Sequence, residues 1–196
     1  CSAKDTRDNK LRNSEITKLG KKYGGVYVFN KKFEKEIDDR ERERQELSQE
    51  LGNKIRSNPR KIKNGNEYII IYDIDMTPVD QKLPQTLSNG KKYYTTTRAY
   101  GEDYNKQAKL PEIYKEKIIN FIGQEDYNKF KPSMLLSYFY EDDNKNIIPI
   151  VVSVYYTIGY TKYGLFGDEG RGFSLSRRDI KDVGGDSVFY MEDLEK

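Results

Sequence analysis

The stretch NIIPIVVSVYYTIGY, residues 146–160, decides the class of fold. Taken with a period of two, Ile150, Val152, Val154, Tyr156 and Ile158 fall on one face, and Val151, Ser153, Tyr155, Thr157 and Gly159 fall on the other. One face is apolar and the other half-polar, the pattern of a strand in an antiparallel sheet with helices on a single side. The preceding run PSMLLSYFY (132–140) has the same strand character, and the EDDNKN between them makes the pair a hairpin.

Outward from this hairpin, two segments change period. In KKFEKEIDDRERERQELSQELGNKI (31–55), Phe33, Ile37, Leu47, Leu51 and Ile55 recur at helical spacings with charge on every other face. This predicts a long helix over about 31–57, with Gly52 and Pro59 marking its end. PEIYKEKIINFIGQ (111–124) predicts a second helix at 111–122, with Pro111 in the first turn and Ile118, Ile119 and Ile122 on one side. YGGVYVFN (23–30), EYIIIYDIDM (67–76) and KKYYTTTRAY (91–100) read as strands, and two shorter strands flank Gly184-Gly185. The expectation is an α+β fold: an antiparallel sheet of five to seven strands, with the long N-terminal helix and the second helix packed on one face. Residues 23–196 form a single domain.

Composition removes several chemistries. The chain has no histidine and one cysteine, so zinc sites of Cys and His, Cys/His pairs and Ser-His-Asp triads cannot be built within it. The net charge is +3, and the basic excess is N-terminal, whereas residues 66–196 hold more acidic than basic side chains and most of the 17 tyrosines. A nucleic-acid binder concentrates base and aromatic residues together. Neither a nucleic-acid partner nor a cofactor is expected.

Cys1, followed by SAKDTRDNK, resembles the mature N-terminus of bacterial lipoproteins. The resemblance implies a diacylglycerol on Cys1, a membrane as partner, and an envelope location on the periplasmic or surface face. Within residues 1–22 the large apolar residues are Leu11, Ile16 and Leu19, too few to offset ordering entropy, so a flexible polar tether is expected, helical only around 14–22. Lys4, Arg7, Lys10 and Arg12 would each add ~1 kcal/mol of attraction to an anionic surface.

Two candidate sites follow. IIIYDIDMTP resembles the first motif of haloacid-dehalogenase-type phosphatases; that resemblance implies Asp73 as nucleophile, Asp75 as general acid/base and Mg²⁺ between them. Tyr138, Tyr140, Tyr155, Tyr160 and Tyr163, with Arg171 in the glycine-rich GLFGDEGRGF, offer a binding surface for an envelope protein, peptide or glycan. Tyrosine is also what an apolar-poor sheet uses to fill its core. The leading expectation is a non-enzymatic binding or scaffolding domain on a lipid anchor, and the alternative is a Mg²⁺-dependent phosphatase using Asp73 and Asp75.

Overall fold

The computed structural model describes residues 6–64, 67–95, 108–168, 170 and 172–194. Its elements run α1 (Thr6–Tyr23), β1 (Gly25–Val28), α2 (Lys31–Ile55), β2 (Arg56–Asn64), β3 (Glu67–Ile74), α3 (Thr77–Lys82), β4 (Tyr93–Tyr94), α4 (Glu112–Ile122), α5 (Gln124–Lys129), β5 (Ser133–Glu141), β6 (Ile147–Asp168), β7 (Gly172–Val183), β8 (Ser187–Tyr190) and α6 (Met191–Leu194). The main sheet has the order β4-β5-β6-β1-β8, and β7 pairs with the far half of β6. This is the α+β class expected, with a six-stranded sheet.

The sheet is mixed rather than antiparallel. β1 pairs antiparallel with β6 but parallel with β8, Gly25 opposite Ser187 and Val28 opposite Tyr190. At that parallel junction Gly25 has φ +147, and a Cβ there would run into the carbonyl oxygen of Ser187, so the close approach of β1 and β8 requires glycine.

The helices also do not share one face. Tyr27, Val152, Val154 and Tyr156 pack with Ile16 and Tyr23 of α1, Ile118 and Ile122 of α4, and Met191 of α6. Val26 and Val151, their strand neighbours, pack instead with Ile37 and Phe33 of α2 and with Leu87 and Tyr93. Adjacent residues on a strand point to opposite faces, so α2 covers the half-polar face and α1 and α4 the apolar one. Ile150 breaks the alternation, joining Val151 on the α2 side, and β5 carries register irregularities around Tyr138 that place Leu136 and Phe139 in one cluster and Tyr138 and Tyr140 in the other.

α2 begins at Asn30, whose side chain accepts the Phe33 N–H at 2.9 Å, and kinks at Gly52, φ 23. Its apolar gap between Ile37 and Leu47 is filled by Arg44. That side chain, 6% exposed, is bound to Asp80 of α3 at 2.6 Å and donates to the Leu83 carbonyl. Glu41 accepts from the Tyr93 hydroxyl at 2.5 Å and from Gln85 at 2.8 Å. The helix is thus pinned by ion pairs where its stripe runs out of hydrocarbon.

α1 runs from Thr6, well beyond the 14–22 expected. Ile16 and Tyr23, two turns apart, are both buried in the core, and the Tyr23 hydroxyl donates to Asp126 of α5 at 2.6 Å. Tertiary burial supplies what the segment's own composition lacks.

Candidate binding surface on the ribbon

β6 is long because it serves two structures in turn. Ile147–Tyr155 is paired with β5 and carries the core, whereas Tyr156–Asp168 pairs only with β7 among the described residues. The far half of β6 and all of β7 therefore form a two-stranded ribbon. The glycines at 164, 167 and 172 of the glycine-rich GLFGDEGRGF accompany a register shift between Tyr163 and Phe166 and the reversal after Asp168.

This ribbon is unusually apolar for its exposure. Tyr163, Leu165, Phe173, Leu175 and Ile180 are 78%, 71%, 62%, 77% and 75% exposed. Charged side chains stiffen it: Asp179 accepts from Arg177 at 2.8 Å and from Lys162 at 3.0 Å, and these contacts, the Arg177 bond first, hold its carboxyl below the usual carboxylate range. The Arg177 guanidinium lies 5.0 Å over the Phe166 ring. At the root, Thr157 donates to Asp182 at 2.9 Å.

α1 flanks the ribbon. The Asn13 amide donates to the Gly159 carbonyl at 2.8 Å, and a groove of about 220 Å³ between them is lined by Lys10, Tyr160, Thr161, Tyr163 and Arg178. Of the tyrosines expected to share a surface, Tyr160 and Tyr163 meet here. Tyr138 and Tyr140 do not: both are half-buried against α2, with Tyr140 5.7 Å from Phe33 and Tyr138 6.1 Å from Tyr93, and burial raises both hydroxyl pKa values. Tyr155 is half-buried on the same side. Arg171 and Cys1 lie outside the described residues. Leu165, Phe173, Leu175 and Ile180 escaped sequence reasoning, although the alternating FSLSRRDIKDV carries the strand signal.

The aspartate pair stands elsewhere. Asp73 lies near the end of β3, opposite Ser57, in a separate two-stranded sheet of β2 and β3. Asp75 follows the strand; its carboxylate accepts the Thr77 N–H at 3.0 Å at the start of α3, and its pKa is lowered by the Thr77 contacts. No group of three or more metal-capable side chains occurs among the described residues, and no described helix is long and apolar enough to cross a membrane. Comparison with known protein families, curated proteins and solved structures found no match.

Proposed function

We propose that this chain is a non-enzymatic binding protein of the bacterial envelope, whose ribbon engages an extended segment of a protein partner. The observation that carries this reading is the set of five apolar side chains, 62% to 78% exposed, on a ribbon whose outer strand β7 pairs only with β6 among the described residues. Strand alternation puts Phe173 and Leu175 on one face of the ribbon and Tyr163 and Ile180 on the other, so an occupant that covers them has to wrap the ribbon rather than sit on one side. A free strand edge beside them recognises an extended chain through main-chain hydrogen bonds, with the side chains supplying specificity. Membrane attachment through acylated Cys1 belongs to the same proposal; the intact mass of the native protein tests it, a diacylglyceryl adduct supporting it and an unmodified thiol opposing it.

The ribbon reading is tested by Leu175→Ser with Ile180→Ser. Both sites are exposed, so stability should change by no more than about 0.5 kcal/mol per substitution. Association with the partner, measured on the purified pair, should be lost. The aspartate alternative has less support, because Asp75 is engaged as a turn acceptor and β3 belongs to a detached hairpin rather than to a central parallel sheet.

A further inference from the structure

A second groove lies between α1 and the segment joining α5 to β5. Arg12 and Ile16 form one wall, residues 128–131 the other, and Tyr156 with Thr157 the floor. Its volume is about 280 Å³, near the lower end of the roughly 300–1,000 Å³ of small-molecule pockets, so it suits a compact group.

Among the described residues, three cations line it, Arg12, Lys129 and Lys131, and no carboxylate does. Arg12 lies 5.8 Å over the Phe130 ring and Lys131 5.8 Å over the Tyr127 ring, contacts that orient the charges without consuming their N–H donors one by one. Lys129 forms a long ion pair with Glu15 at 3.8 Å, a separation that spends none of its N–H donors in a hydrogen bond. The neighbouring carboxylate of Asp126 is occupied by the Tyr23 hydroxyl and Lys22.

The floor supplies an independent observation. Tyr156 is 1% exposed, and its hydroxyl has no hydrogen-bond partner among the described residues. Burial first, then the charges of Tyr23 and Asp126, push its pKa up to about 12, so it remains a protonated donor at neutral pH. Buried hydroxyls without partners are uncommon, and the residue that carries this one lines a cationic groove.

We propose that this groove binds a phosphate group, its charge neutralised by Arg12, Lys129 and Lys131 and one oxygen accepting from the Tyr156 hydroxyl. A doubly charged tetrahedral oxyanion matches several convergent cations and donors better than a single carboxylate does. A soluble phosphomonoester and a phosphatidate-type lipid head group offer the same chemistry. The groove opens at the root of the ribbon, and none of the ribbon's five exposed apolar side chains lines it.

The test uses the full chain carrying Cys1→Ser, so that no acyl chain contributes. Inorganic phosphate and glycerol 1-phosphate are titrated calorimetrically at constant ionic strength, and sedimentation is compared on phosphatidate and phosphatidylcholine vesicles. Saturable binding is expected, weakened at least about tenfold by Arg12→Gln with Lys131→Gln and severalfold by Tyr156→Phe, with circular dichroism unchanged. Tyr163→Ser should leave it intact, which separates this site from the ribbon. Binding of the soluble phosphates, or of phosphatidate vesicles alone, assigns the source and supports the site in either case. Absence of both, or equal binding by the Arg12/Lys131 variant, overturns it, and undiminished affinity in Tyr156→Phe overturns the role given to the hydroxyl.

Discussion

The Asn13 side-chain amide donates to the Gly159 carbonyl oxygen at 2.8 Å, across 146 residues of chain. That carbonyl therefore points away from β7. In an antiparallel pair both groups of a residue point the same way, so Gly159 and its partner Ile180 form a non-hydrogen-bonded pair. The N–H and C=O of Ile180 consequently face the outer edge of β7, as do those of Arg178 and Asp182, while Lys181 and Asp179 face β6.

This alternation separates edge from ladder. Ile180→Pro removes an outward N–H and should leave the β6–β7 ladder standing, whereas Lys181→Pro removes an inward donor and strands the acceptor on Ile158. Chemical denaturation should show Lys181→Pro less stable than Ile180→Pro by about 1–3 kcal/mol. Equal losses would mean that the ladder runs in the other phase.

Gly25→Ala should destabilise the fold by about 2 kcal/mol or more, since φ +147 strains any side chain and the added methyl meets the Ser187 carbonyl oxygen on β8. A denaturation midpoint unchanged from the parent would show that β1 and β8 have room to part.

Much of this architecture was legible in the sequence because its signals are local. The 132–160 hairpin, the helices at 31–55 and 112–122 and the strand at Gly25–Val28 each carry a period, a cap or a turn of their own. The two-faced packing was not legible: Val151 and Ser153 look half-solvated, and only the tertiary position of α2 covers that face. Neither was β2, where Pro59 reads as a helix terminator, yet Arg56–Asn64 pairs with β3. The ribbon was hidden by its own glycines, which read as loop until β7 supplies a partner. Of the candidate site, Tyr160 and Tyr163 were legible as tyrosines, but their separation from Tyr138 and Tyr140 depends on where β6 leaves the sheet.

Tyr156→Phe, measured without phosphate, should raise stability by up to about 1 kcal/mol, because it removes a buried hydroxyl that has no partner among the described residues while keeping the ring in the core. A loss of stability on thermal unfolding would reveal a partner for that oxygen.

Asp126 should contribute to the acid limb of stability. The Tyr23 hydroxyl, foremost, and Lys22 hold its pKa below the ordinary value of about 3.9. A carboxyl depressed in the folded state stabilises above its unfolded pKa, and that contribution disappears as pH falls through the folded pKa. Asp126→Ala should therefore be less stable than the parent at pH 7, with the difference shrinking below about pH 4. A difference constant from pH 7 to pH 2 would contradict the ionised contact.

Photo-crosslinking in cells that make the protein shows whether the ribbon is the partner-binding element. A photoreactive residue is placed at Leu175 or Ile180, and at exposed Asn144 in the β5–β6 turn as control. One discrete cross-linked species is expected from the two ribbon positions and none from Asn144, with the Leu175 product lost when Ile180→Pro is added. Ribbon positions that yield no more product than Asn144, or a Leu175 product indifferent to Ile180→Pro, would contradict that role.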